Sequence, residues 1–426
     1  MERFTGLLGI ALILGIAFLM SNNKRAISLR VVISGLLLQL GLAIFILKTP
    51  LGQRIFGTLG QWVTKLLDFS DRGAEFVFGF LVKKEILDAV LGPGHSFIFI
   101  FKIMPTIIFV AVLVSVAYHI GLMQRIVAFF AKIMSKLMNV SGSESLSNVA
   151  SAFVGQVEAQ IMIKPYLSGM TMSELLASMA GSMACIAGGV MAVYISMGIP
   201  ANLLIAASIM AAPAALVISK IVIPETQISE TKGSIKLEVK KTYSNFMDAV
   251  SHGASDGMKV SLNVIAMLIG VIALIAFIDF ILGKFGMMLY NNTSYAAFLG
   301  MDFQNLSLKE ILGSFFSVFA YAMGVPGKDI HLVGQLLGTK FAVNEFVAYS
   351  DLTPMMAAKL LEPKTITIVS IALCGFANFS SIAIQVGGIG ELAPTRRADL
   401  ASLGFKALIC GTMASYLSAT VAGILM

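Results

Sequence analysis

A chain of 426 residues that is 57% hydrophobic and only 12% charged cannot hide its apolar surface inside a water-soluble globule. With a mean hydropathy of +0.89, the surplus must face lipid. The net charge of +7 comes from Lys and Arg scattered through loops, with no aromatic-interleaved basic patch, so it points to membrane lipid as a neighbour and not to nucleic acid.

The first apolar run, 4–21, lacks an Ala-x-Ala-like cleavage site and is followed by Asn22-Asn23-Lys24-Arg25, so it reads as a retained helix. Lys24, Arg25 and Arg30 place the following loop in the cytoplasm and the N-terminus outside. Further apolar runs fall at 31–48, 97–123, 172–197, 201–223, 257–283, 365–391 and 404–425. Together they give about eight spans. Trp62 reads as an interfacial anchor. Residues 224–256, opening Pro224-Glu225-Thr226 and carrying Lys232, Lys236, Lys240 and Lys241, read as a solvated polar linker. Cys185, Cys374 and Cys410 all lie in apolar runs, an odd count that argues against a disulfide framework or a zinc site.

Between the spans lies a second kind of segment. Residues 124–140 and 308–324 carry charges at near-helical spacing among apolar residues, which predicts amphipathic helices lying in the interface. Each precedes a segment too short and polar to span, 144–167 and 328–352, and then an apolar helix interrupted at its centre by Gly188-Gly189 or by Asn378 with Ser380-Ser381. The order is amphipathic helix, acid-bearing hairpin, interrupted span, further span, and it occurs twice. An odd number of spans between the copies inverts one against the other, the layout of transporters whose broken elements meet at the bilayer midplane. The expected fold is therefore all-α and integral to the membrane, with about eight transmembrane helices, two re-entrant helical hairpins, interfacial helices and inverted repeats.

The hairpins carry the chemistry. Gly155-Gln156-Val157-Glu158 and Asn344-Glu345-Phe346 each bring a carboxylate into apolar sequence, and Phe376-Ala377-Asn378-Phe379-Ser380-Ser381 adds an amide and hydroxyls. A charge at bilayer depth costs about 2.5–3.5 kcal/mol even on lenient scales, so such groups read as functional. Ionised Glu158 and Glu345 only accept hydrogen bonds, whereas Gln156, Asn378 and Ser381 both donate and accept. No Arg or Lys sits among them except Lys164 and Lys340 at the margins, which disfavours a strongly anionic solute. Phe376 and Phe379 offer faces for a ring. A neutral polar solute with hydroxyls and ring amides fits, and a nucleoside is one.

Gly155-Gln156-Val157-Glu158-Ala159, Val343-Asn344-Glu345-Phe346-Val347-Ala348 and Gly375-Phe376-Ala377-Asn378-Phe379-Ser380-Ser381 resemble the signature segments of the concentrative nucleoside transporter family, bacterial permease type. The resemblance runs from Leu7 to the last span. It implies a secondary-active, cation-coupled symporter of the inner (cytoplasmic) membrane, multi-pass and not an enzyme. Nucleosides such as uridine, cytidine and adenosine would be its substrates, and it would assemble as a homotrimer without an organic cofactor. By the family pattern, Gln156, Val157, Glu158 and Val190 face the nucleobase, and Glu345, Asn378, Ser381 and Phe376 face or border the ribose. The chain then divides into N-terminal spans and a first scaffold helix (1–123), a first inverted repeat (124–223), a linker with a second scaffold helix (224–307) and a second inverted repeat (308–426).

Two departures bear on the coupling cation, H+ or Na+. The common form of the first motif is Gly-Gln-Thr-Glu-Ala-Pro, and here Val157 and Gln160 replace the Thr and the Pro. In sodium-driven members an Asn and a Ser side chain help hold the ion, at positions filled here by Ser151 and Cys185; the backbone carbonyl positions fall at Val154 and Ile186. Sodium is a hard cation that wants oxygen, and Cys185 offers soft sulfur. The expectation therefore favours the proton over sodium, with no metal beyond sodium in question.

Plainer readings exist for each residue. Glu158 can pair with Lys164, Asn378 and Ser381 can be interhelical glue, and Phe376 can be packing. A membrane hydrolase would need a nucleophile beside a base, and Ser151 has no His or Lys in its run. A passive channel would repeat its polar groups along a pore, whereas here they cluster in two hairpins.

Overall fold

The computed structural model describes residues 2–91, 98–232, 243–290 and 306–426, and among these it is all-helical. In chain order the helices are α1 (Glu2–Leu19), α2 (Leu29–Lys48), α3 (Pro50–Phe78), α4 (Lys84–Leu91), α5 (Phe99–His119), α6 (Leu122–Met138), α7 (Gly142–Ser151), α8 (Glu158–Ile161) and α9 (Met172–Ala184). They continue as α10 (Gly188–Ser196), α11 (Ala201–Val222), α12 (Phe246–Tyr290), α13 (Leu308–Ala322), α14 (Ile330–Ala342), α15 (Glu345–Ala357), α16 (Pro363–Leu373), α17 (Phe379–Leu392) and α18 (Arg397–Leu425). Lys236, Lys240 and Lys241 of the expected linker lie outside the described residues.

Among the described residues six stretches are long and apolar enough to cross a membrane: Leu29–Lys48, Ile100–His119, Met172–Ser196, Ala201–Val222, Phe246–Met288 and Pro394–Leu425. The shorter apolar helices Thr5–Leu19 and Pro363–Leu373 join them, in keeping with about eight spans. The amphipathic helices α6 and α13 fall where the charge spacing predicts them. Each is followed by a hairpin (α7–α8, α14–α15), a broken helix (α9–α10, α16–α17) and a whole helix (α11, α18). Three crossings separate α6 from α13, so the second copy enters the membrane from the opposite side. The expected hairpin at 144–167 is less regular than its partner, with one turn at α8 and a 3-10 turn at Lys164–Tyr166 as its second arm.

The broken helices and α11 and α18 form the centre. Burial reaches 78% in the Met172–Ser196 window and 83% in Pro394–Leu425, against 6% in Phe246–Met288, so α12 is an outer helix covered by lipid or by another chain. It is anchored along α5, where glycines let the backbones meet. A Cβ on Gly253 would lie 2.7 Å from Val112 Cα, and one on Gly257 would lie 2.6 Å from Ile108 Cα.

At the two breaks the chain leaves helical geometry, and neighbouring elements take up part of the freed backbone. Gly375 takes φ +153° (a region favouring glycine), and a Cβ there would sit 2.8 Å from Ala184 O. Phe376 N donates to Cys185 O (3.2 Å) and Gly188 N donates to Phe153 O (3.2 Å). Ser415 Oγ on α18 lies within hydrogen-bond distance of Ala184 O (3.5 Å) and Cys374 O (3.2 Å). Irregular backbone at this depth survives because protein groups replace the missing helix bonds. All three cysteines are buried and free.

At the base of the first hairpin, Ser141 and Glu144 form a reciprocal capping box that starts α7. The same Glu144 pairs with Lys220 at the end of α11 (2.7 Å), both nearly inaccessible. The second hairpin is pinned by Asp329, whose Oδ2 accepts from Thr365 Oγ1 (2.6 Å) and Glu362 N (3.0 Å) at the start of α16.

Candidate substrate site

The breaks and hairpin tips meet at one cavity of about 430 Å3. This lies within the usual size of small-molecule sites. Three half-helices, α10, α15 and α17, begin at its wall, so the positive ends of their dipoles and their unpaired N–H groups converge there. Two of these N-termini are capped by amides that belong to the site. Asn344 Oδ1 accepts from Val347 N (2.9 Å) and Asn378 Oδ1 accepts from Ser381 N (3.0 Å).

Glu345 is the first residue of α15, and it is buried. Its Oε1 accepts from Tyr194 Oη (2.9 Å) and its Oε2 from Asn378 Nδ2 (3.2 Å). Tyr194 is fixed by packing against Tyr349, with ring centroids 4.4 Å apart and planes tilted by 37°. The carboxylate is thereby oriented with acceptor capacity left for a solute.

Gln156 Nε2 donates to Ser381 Oγ (3.0 Å), while its Oε1 accepts from Gln385 Nε2 (3.3 Å), which bridges on to Met179 O (3.1 Å). These bonds join the tip of the first hairpin to the second broken helix. Glu158 is different. It is exposed toward the cavity and forms no ion pair with Lys164. Gly155 makes room for it, since a Cβ there would lie 2.1 Å from Glu158 Oε2. Val157 lines the cavity and wedges against α17, where a Cβ on Gly388 would lie 2.4 Å from Val157 Cγ2.

The structure thus brings Gln156, Val157, Glu158, Val190, Glu345, Phe376, Asn378 and Ser381 to one cavity wall. Phe379 does not join them. It is half exposed and packs edge-on against Phe341 (5.3 Å), because the capped turn at Asn378 directs it away. The wall contains no Lys or Arg. Tyr194, Asn344, Asn263 and Met267 also line it. Tyr194 and the α12 pair lie inside apolar runs and carry no signal of their own in the sequence.

Ser151, Val154, Cys185 and Ile186 are all buried and lie beside the cavity, outside its lining. Ser151 Oγ donates to Ser147 O (2.8 Å) and meets Ser182 Oγ (3.0 Å). Gln160 reaches into this corner: its Nε2 donates to Ser182 Oγ (2.7 Å) and its Oε1 accepts from Ser178 Oγ (2.6 Å). Cys185 Sγ turns away toward Ser208 O (3.7 Å).

Comparison with known proteins agrees with this architecture. Residues 8–81 match the family description "Na+ dependent nucleoside transporter N-terminus", residues 203–423 match its "C-terminus", and residues 100–201 match "Nucleoside recognition". The chain is 41% identical to an uncharacterized transporter of Haemophilus influenzae, covering 100% of this chain and 98% of that one. It is 36% identical to the nucleoside permease NupC of Helicobacter pylori, over 98% of this chain and 96% of the other. It is 38% identical to sodium/nucleoside cotransporter 1 of Rattus norvegicus, of whose length it spans 64%. The solved structure of CNTnw in an inward-facing substrate-bound state superposes with a TM-score of 0.90 at 37% identity, covering 100% of this chain and 98% of that chain. A CNTnw variant in an intermediate state gives 0.92 at the same identity and full coverage of both. This multi-pass protein of the cytoplasmic membrane therefore belongs to the concentrative, cation-coupled nucleoside transporter family, whose members move solutes and are not enzymes.

Proposed function

We propose that this protein imports uridine, cytidine and adenosine in symport with protons. The observation that carries the substrate reading is the cavity wall itself. It sets two carboxylates, four amides and the N-termini of three half-helices around one space and contains no cationic side chain. Such a wall recognises a neutral solute rich in hydroxyl and ring N–H donors. Gln156 and Glu158, with Val157 and Val190, form the nucleobase end. Glu345, Asn378 and Ser381, bordered by Phe376, form the ribose end.

The preference for protons over sodium rests on the Ser151 corner. The oxygens a sodium ion needs there already bond one another, Gln160 supplies an amide donor where a cation would sit, and Cys185 faces elsewhere. In this reading one of the two hairpin carboxylates, Glu158 or Glu345, carries the proton together with the solute. The chain works as a homotrimer embedded in lipid, with the exposed α12 helix available to neighbouring subunits. Segments 1–123 and 224–307 contribute the scaffold helices α5 and α12, and segments 124–223 and 308–426 contribute the repeats that form the site.

Uptake of labelled uridine and adenosine into proteoliposomes, under an imposed proton or sodium gradient, tests the whole reading. Accumulation should rise as external pH falls and ignore sodium. Strong sodium dependence with no response to a proton gradient reverses the ion, and no accumulation under either gradient overturns the transport reading.

A further inference from the structure

Lys340 is a buried basic side chain with no carboxylate in ion-pair contact among the described residues. It lies on the first arm of the second hairpin, is 0% exposed, and does not line the cavity. Among the described residues no carboxylate comes within ion-pair distance of its ammonium. Its hydrogen bond goes to Ala372 O (2.8 Å), and the Tyr416 ring lies 5.9 Å away. A buried ammonium without a counterion is costly, so the position demands a physical reason.

Ala372 supplies one. It lies in the last turn of α16, just before the break at Cys374, where helix carbonyls lose their intrahelical partners and the dipole ends negative. The second arm of the hairpin holds the same turn, Tyr349 Oη donating to Ser370 O (2.8 Å). Beyond the break stands Asn378, which orients Glu345, and Glu345 opens the second arm of the same hairpin, just across the turn from the end of the arm that carries Lys340. In the first repeat, the matching corner between hairpin and half-helix is where the hydroxyls of Ser151 and Ser182 and the amide of Gln160 meet.

We propose that Lys340 is a tethered cation: its ammonium holds the carbonyl end of α16 at the second break and balances Glu345, so that Asn378 and Glu345 are set for a nucleoside. The proposal rests on the reading that Glu345 and Asn378 bind the solute. Lys340 is a positioning residue in this scheme and touches no substrate. Its effect comes from charge and not from bulk.

Charge and bulk separate experimentally. Uridine affinity is measured by calorimetry on the purified full-length protein, as wild type, Lys340→Met and Lys340→Ala, with thermal unfolding recorded for each. Lys340→Met, with similar bulk and no charge, should bind uridine at least tenfold more weakly. Lys340→Ala should lose as much, and propylammonium should restore affinity at least fivefold whereas 1-propanol, of the same size, should not. Equal restoration by both additives, or wild-type affinity in Lys340→Met, overturns the proposal. Should the Ala variant not fold, the Met variant decides alone. A wild-type protein that binds no nucleoside overturns the underlying site reading, and the proposal with it.

Discussion

Tyr194 on the first broken helix donates its phenol hydrogen to Glu345 on the second hairpin at 2.9 Å, across 151 residues of sequence. The bond joins the two repeats at the site itself and leaves the carboxylate with one oriented oxygen edge. Tyr194→Phe removes the donor and keeps the tilted ring contact with Tyr349. Losing a partner of a buried charged group costs about 1–3 kcal/mol. Uridine binding should weaken by roughly tenfold, since 1.4 kcal/mol is a factor of ten. Unchanged affinity in the variant would show that Asn378 alone orients Glu345.

Glu158→Gln and Glu345→Gln should both abolish uptake, for different reasons. Glu345 is tied to Tyr194 and Asn378, so its amide mispairs with them and thermal stability falls as well. Glu158 lacks a side-chain partner among the described residues, so its variant should keep wild-type stability while transport is lost. Melting curves beside uptake assays check this, and a destabilised Glu158→Gln protein contradicts the assignment.

Val157 presents an apolar branch where a Thr would present a hydroxyl to the base. A pocket without that polar group discriminates by fit more than by hydrogen bonding. Val157→Thr should therefore shift uptake toward pyrimidines, read as the uridine-to-adenosine competition ratio. The wedge against Gly388 is preserved because the two side chains have nearly the same shape.

Ser151→Asn with Cys185→Ser should introduce sodium stimulation of uptake, since Asn extends a longer-reaching carbonyl oxygen from position 151 and Ser replaces soft sulfur with a hard oxygen at 185. Adding Gln160→Pro removes the amide from Ser182 and should enlarge the effect. Sodium-indifferent uptake in the triple variant would mean that this corner does not set the ion.

Lys220→Met strands Glu144 at the base of the first hairpin. An uncompensated buried charge of this kind costs about 3–5 kcal/mol. The melting temperature should fall sharply, and adding Glu144→Gln should recover most of the loss. Additive losses in the double variant would exclude the pairing as the cause.

Much of this architecture is legible in sequence because lipid makes polarity conspicuous. Glu158, Glu345 and Asn378 stand out against apolar neighbours, and the interfacial helices show themselves by charge at helical spacing. The 29-residue helix α3 escaped that reading because Arg54, Lys65, Asp68, Asp71, Arg72 and Glu75 dilute its hydropathy. Helix α12 begins well before its apolar run, through Asp248, His252 and Asp256. Tyr194 and Gln385 matter only through partners far away in sequence, and no local pattern carries such a contact. Gln160 is visible as a departure from the motif, but what it touches emerges only when α8 folds against α9.

The burial of Cys185, Cys374 and Cys410 has a practical side. None exposes more than 1% of its surface, so a thiol reagent applied to the folded protein finds no native target. Any cysteine introduced at the cavity wall, for example at Asn263 or Met267, is then a single reporter on a dark background. Its labelling rate from either side of the membrane records which side the cavity faces, without first removing a residue from the core.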